Sequence, residues 1–220
     1  MCGIVGIYLK KKKLHDKLGN YLSPMLDNMS SRGPDSAGFA IYNKYNSMHN
    51  YKYSVCFPIK FNINLFKKNI IDKFKDIKIK LISDHLVIHT KTRPKILLSF
   101  LENNYQELSL IGYGRSIEIF KQVGNPKDIV KKFQLHKFSG SHAIGHTRMA
   151  TESAITLDGS HPYSTGEDEC LVHNGSLSNH NNLRRNLIKK GKKFESFNDT
   201  EVAAGYISNQ LSKNNSMKKT

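Results

Sequence analysis

Met1-Cys2-Gly3-Ile4-Val5-Gly6-Ile7-Tyr8 opens the chain. Removal of Met1 would leave Cys2 carrying a thiol and a free α-amine on one residue. An α-amine titrates near ~8 and a thiol near ~8.5, so the amine is a competent base within reach of its own nucleophile. The small cysteine side chain suits aminopeptidase trimming, and Gly3 lets a substrate approach the backbone closely. The same residues also read as a chance cysteine at the head of a strand. Residues 2–8 are nearly continuously apolar and β-branched, which predicts a strand buried on both faces.

Outward from there, Leu18, Tyr21, Leu22, Met25, Leu26 and Met29 recur at helical spacing, predicting a helix over 16–29. Pro24 either kinks it or restarts it with Ser23 as the cap. Arg32-Gly33-Pro34-Asp35 has turn chemistry, and 37–42 returns as a strand. Between 44 and 140 the pattern predicts strands at 51–57, 86–89, 108–112 and 116–120. Helices are expected around 65–77, at 94–101, and at 126–133 with Asn125 as cap. A further strand ends in Gly145-His146-Thr147-Arg148, and a polar loop runs to His161-Pro162. A strand over 169–173 then leads into Asn174-Gly175. A helix over 181–190 is closed by Gly191, and Asp199 stands at the mouth of a last helix, 200–211. Strands and helices do not alternate as strict βαβ units, which favours a layered α+β fold.

Bulk properties narrow the classes. The 220 residues allow one domain, with room for an insertion. Cys2, Cys56 and Cys170 are odd in number and lack CxxC spacing, so neither a disulfide framework nor a zinc ribbon is expected. With no signal-like segment and no long apolar run, the chain reads as a soluble, cytoplasmic protein without a membrane partner. The formal charge is +16, but the lysines are scattered among Asn and Ile and accompany no nucleic-acid motif. A solvated basic surface is expected, with no specific nucleic-acid partner.

A thiolate attacking a carboxamide needs a base, an oxyanion site, and a clamp for the rest of the substrate. Asn174-Gly175 offers a side-chain amide beside a bare backbone N–H, although such a pair also makes an ordinary tight turn. Arg148 at a strand end suits bidentate capture of a carboxylate, or a surface salt bridge. Asp199 suits an α-ammonium group, or a helix N-cap. Together the two clamps describe a free amino acid, and the thiol with an oxyanion hole makes glutamine the fitting ligand.

Four blocks carry a specific resemblance: Cys2-Gly3-Ile4-Val5-Gly6, Arg32-Gly33-Pro34-Asp35-Ser36-Ala37-Gly38, His146-Thr147-Arg148-Met149-Ala150-Thr151 and His173-Asn174-Gly175. Asn198-Asp199-Thr200-Glu201-Val202 is a fifth. The chain resembles a class II glutamine amidotransferase domain, an N-terminal nucleophile hydrolase. The resemblance implies a four-layer αββα sandwich over 2–220, with a family-specific insertion at about 44–125. It implies Cys2 as nucleophile, Asn174 and Gly175 as oxyanion hole, and Arg148, Thr151 and Asp199 as glutamine-binding residues, with Arg32 ordering the site. His146, His161 and His173 are expected to serve structure rather than a metal, and no cofactor is implied. Met149 to Ala154 and Cys170 to Arg184 are most similar to the glutaminase-like subunit of N-methylglutamate synthase. That likeness implies separate synthase subunits receiving ammonia. Glu152 stands where glucosamine-6-phosphate synthases carry histidine, which argues against that branch. The family's strands beyond the last helix are not expected within 220 residues, so the sandwich is expected to be incomplete at its C-terminal side. A non-catalytic assembly or regulatory subunit with the same fold is the alternative.

Overall fold

Two four-stranded antiparallel sheets organise the described residues, 2–43, 51–150 and 154–213 of this computed structural model. The first sheet contains β1 (Gly3–Tyr8), β2 (Ser36–Tyr42), β7 (Ile117–Val123) and β8 (His142–Arg148), in the order β1-β8-β2-β7. The second contains β3 (Tyr51–Cys56), β4 (Lys78–Ile82), β5 (His85–Thr90) and β6 (Ser109–Gly114), in the order β4-β5-β3-β6. Helices α1 (Leu18–Asn28) and α4 (Pro126–Lys132) pack on the outer face of the first sheet, around Val5, Phe39, Ile41 and Phe120. Ala40, Ile111, Ile117 and Ile119 fill the space between the sheets. Helices α2 (Ile63–Lys73) and α3 (Pro94–Asn104) cover Tyr53, Val55, Leu86 and Ile88 on the far side. The layer order is therefore helix, sheet, sheet, helix, in keeping with the α+β expectation.

Two strand expectations need correction. β1 is an edge strand with one covered face: Val5 is buried, but Ile4 is 44% and Tyr8 67% exposed. Its apolar run reflects packing on α1 from one side. The strand expected at 169–173 is a loop held by one bridge, in which Tyr163 and Leu171 exchange backbone hydrogen bonds of 3.0 and 2.8 Å. β4, a short edge strand rich in lysine, escaped the pattern because three of its five positions face solvent.

The helices follow their signals closely. α1 runs through Pro24 without a restart, because the Ser23 hydroxyl donates to the Gly19 carbonyl (2.7 Å) instead of capping a new helix. α2 begins earlier and ends earlier than expected, set by Asn62, whose side chain accepts the Leu65 N–H at 3.0 Å. Asn125 caps α4 as its sequence predicts, accepting the Lys127 N–H at 3.0 Å. Gly191, at φ 81°, follows α5 (His180–Ile188) as an αL terminator.

Gly19 fixes how α1 meets the segment after α4. A Cβ there would lie 2.1 Å from the Leu135 carbonyl oxygen and 2.8 Å from that of Phe138. In a helix Gly→Ala ordinarily gains about 0.5–1 kcal/mol. Here the clash is with backbone, so Gly19→Ala is expected to destabilise by about 1–3 kcal/mol, read from urea unfolding. A stabilised variant would refute this packing.

Candidate active site

The register of the first sheet brings three of the sequence blocks to one end. Gly3 pairs with Thr147 and Ser36 pairs with Arg148. Cys2 therefore stands beside the end of β8, next to the turn that enters β2. Close approach at that turn depends on Gly33, where a Cβ would meet the Thr147 carbonyl carbon at 2.5 Å. Asp35 locks the same corner: its N–H donates to the Arg148 carbonyl at 3.0 Å, and its carboxylate accepts the Ala150 N–H at 2.7 Å. Asp35 belongs to the second sequence block, where its residue type alone indicates no catalytic role. Its place after Pro34 in a turn, with a side chain able to bond to backbone, was the available signal.

Cys2 is partly exposed, and its sulfur lies 3.9 Å from the Met149 carbonyl. The side-chain amide of Asn174 donates to the Cys2 carbonyl at 3.2 Å, which carries the fourth block to the nucleophile candidate. Gly175 adjoins it in the exposed loop, where an added Cβ would meet the His173 ring at 2.8 Å. Arg148 is only 5% exposed and donates through Nη1 to the Ala154 carbonyl at 3.3 Å. The guanidinium is thus buried under the 154–159 loop rather than held at the surface. Thr151 lies outside the described residues. Arg32 is exposed in the turn, its N–H donating to the Met29 carbonyl at 3.0 Å.

Asp199 opens α6 (Asp199–Leu211), but the cap is Asn198, whose side chain accepts the Thr200 N–H at 2.9 Å. That frees the Asp199 carboxylate from capping. It accepts the Leu177 N–H at 2.7 Å and so ties α6 to the loop that carries Asn174 and Gly175. Arg184 on α5 steadies the approach to Asp199, donating to the carbonyls of Ser196 (2.7 Å) and Asn198 (3.1 Å). Nothing in the sequence pattern singled out Arg184.

Beneath this loop lies a histidine network. The rings of His146 and His161 stack at 3.9 Å. His146 Nε2 pairs with the His173 carbonyl at 3.0 Å, and the Thr200 hydroxyl meets His161 Nε2 at 3.0 Å and His173 Nδ1 at 3.3 Å. Burial pushes the His146 imidazolium down to about 4, against the hydrogen bond from its ring to the His173 carbonyl. Burial holds His161 lower still, reinforced by His146, Lys121 and Arg148. Both rings are neutral near pH 7; Nε2 of each is engaged by a protein group, while Nδ1 of each is buried without a hydrogen-bond partner. A separate cleft of about 950 Å³ lies between α3, β6 and the segment joining α5 to α6. Its lining includes Lys121, Tyr163 and Glu201 but not Cys2, Arg148 or Asn174.

Comparison with known proteins places the chain in a family. The glutamine amidotransferase domain family matches residues 133–210, which hold β8, the Asn174 loop and most of α6. The chain is 45% identical over 214 residues to "Glutamine amidotransferase-like protein GlxB" of Rhizobium meliloti, covering 97% of this chain and 71% of that protein. The chain belongs to the glutamine amidotransferase family. Within that family it is also 34% identical over 122 residues to a glutamine–fructose-6-phosphate aminotransferase of Methanococcus maripaludis, covering 53% of this chain and 20% of that protein. The corresponding aminotransferase of Francisella tularensis is 40% identical over 98 residues, covering 44% of this chain and 16% of that protein. A glutamine amidotransferase takes ammonia from the side-chain amide of glutamine and hands it to a synthase. Among the described residues no helix is long and apolar enough to cross a membrane.

Proposed function

We propose that this glutamine amidotransferase is of class II, with the N-terminal nucleophile mechanism, and that it hydrolyses glutamine at Cys2 after loss of Met1. The observation that carries the reading is the hydrogen bond from the Asn174 amide to the Cys2 carbonyl, 3.2 Å long. It sets a thiol and a candidate oxyanion donor side by side, although they are 172 residues apart in the chain.

The thiol gives its proton to the α-amine as sulfur bonds to the amide carbon. The Asn174 side chain and the Gly175 N–H receive the oxyanion. The α-ammonium protonates the amide nitrogen as collapse breaks the C–N bond, and that nitrogen leaves as ammonia. Water, activated by the same amine, then cleaves the γ-glutamyl thioester, releasing glutamate and restoring the thiol. Arg148 would take the substrate carboxylate and Asp199 its ammonium group, with Thr151 lining the pocket and Arg32 supporting the turn. The buried setting of Arg148 and the release of Asp199 from capping support those two roles. Ammonia would pass to a separate synthase subunit of the glutamate or N-methylglutamate synthase type. The similarity over 97% of this chain to the glutamine amidotransferase-like GlxB supports the amidotransferase part of this reading.

The test is intact-mass spectrometry after incubation with 6-diazo-5-oxo-L-norleucine, a glutamine-like alkylator. Loss of Met1 and one adduct mapping to Cys2 are the expected result. A processed but unlabelled protein would move the assignment to a non-catalytic assembly subunit.

A further inference from the structure

Cys56 and His85 sit directly opposite each other in the second sheet, as an antiparallel pair between β3 and β5. Both are buried, Cys56 at 7% and His85 at 0% exposure. Asp84 precedes His85 in the turn from β4, after Ser83 at φ 57°. The Asp84 carboxylate pairs with His85 Nδ1 at 2.9 Å. The Cys56 sulfur, a His85 ring nitrogen and an Asp84 carboxylate oxygen all lie within 4.8 Å of one another. His85 Nε2, across the ring from the Nδ1 that meets Asp84, is buried and has no hydrogen-bond partner, one of five such side-chain atoms among the described residues.

We propose that Cys56, Asp84 and His85 bind a thiophilic divalent metal ion of the zinc class. A thiolate, an imidazole and a carboxylate form a borderline-soft donor set, which suits such an ion and not magnesium or calcium. Metal–sulfur and metal–nitrogen bonds of about 2.3 and 2.0–2.1 Å place tetrahedral donors about 3.6 Å apart. Side-chain rotations of about an ångström therefore close the present cluster around an ion. The apolar walls are in place, with the Phe133 and Phe120 rings 4.9 and 5.7 Å from the His85 ring.

The charges also fit. Lys132 Nζ lies 2.9 Å from Asp84 Oδ2, and the Gln122 amide donates to the same oxygen. Both hold the carboxylate from its outer side, which leaves Oδ1 turned toward His85. The positive charges of Lys132 and of Lys121, which both act on the cluster, are matched by the Asp84 carboxylate together with a Cys56 thiolate. On binding, the Cys56 S–H bond breaks, its proton goes to solvent, and a metal–sulfur bond forms without change of oxidation state. Asp84 keeps 26% side-chain exposure, so ions and a water ligand have a route in. The cluster belongs to the second sheet and does not depend on the reading of Cys2.

The experiment uses the full chain carrying Cys2→Ser and Cys170→Ser, reduced and stripped with chelator, so that Cys56 is the sole thiol. Anaerobic titration with cobalt(II) is expected to give a sulfur-to-cobalt charge-transfer band that saturates at about one ion per chain and is displaced by zinc. Asp84→Asn and His85→Gln are each expected to weaken cobalt binding by at least on the order of tenfold. Asp84 is partly exposed, so its variant tests the site even where a change at His85 disturbs folding. No band from a protein folded by circular dichroism would overturn the proposal. So would a band indifferent to both substitutions, which would mark a thiol binding metal by itself.

Discussion

Cys2→Ala is expected to lower glutamine hydrolysis by a factor on the order of 10⁴–10⁶, the scale on which removal of a covalent nucleophile acts. The melting temperature is expected to stay unchanged. Cys2 is partly exposed, and its sulfur makes only a weak 3.9 Å approach to the Met149 carbonyl, so alanine forfeits little packing. The Asn174 hydrogen bond reaches the Cys2 carbonyl, which alanine retains. The same variant thus separates chemistry from architecture. Loss of a single oxyanion donor costs about 10²–10³ in kcat, so a fall of only that size would place Cys2 among supporting groups. Turnover within tenfold of the parent would remove the N-terminal nucleophile from the mechanism. The measurement is glutamate release at saturating glutamine, with the N-terminus confirmed by mass for both proteins.

Legibility in the sequence followed the range of the interactions. Elements whose signals are local came through: Asn125 and Pro126 start α4, Gly191 closes α5, and the apolar spacing of Leu18, Leu22 and Leu26 builds α1. The layered α+β arrangement was legible from element order alone. β1 was read as fully covered because its composition does not reveal that it lies at a sheet edge, which is a property of the whole topology. The loop at 169–173 has the composition of a strand, yet only Tyr163 pairs with it, so a ladder never forms. Among the candidate site residues, Cys2, Arg148, Asn174 and Asp199 could be singled out from sequence because each type has a distinct chemical use. Asp35, Arg184 and Thr200 act by bonding to backbone or to another side chain across the fold. Such roles leave no spacing to read.

A second large effect is expected in the acid stability of the protein. His146 and His161 are held neutral, chiefly by burial, with ring nitrogens engaged by the His173 carbonyl and the Thr200 hydroxyl. In the unfolded chain both titrate near ~6.5. Between that value and about 4 for His146, the unfolded state binds more protons than the folded state, so stability rises with pH. The contribution is fully present above about 6.5 and is lost as pH falls from there. For His146 alone the loss between pH 7 and pH 4 comes to about 3 kcal/mol, at about 1.4 kcal/mol per pH unit. His161 adds to it, but not independently. The rings stack at 3.9 Å, and Arg148, Lys121 and His173 face the pair, so a second cation there meets the first. Acid unfolding is therefore expected to begin below about pH 6, with a urea midpoint that drops steeply between pH 6 and pH 4.5. Ring resonances of both histidines should keep neutral shifts in the folded protein down to about pH 5. A ring that titrates near 6.5 in the folded state would show that the network is open to water and remove the basis for the acid transition.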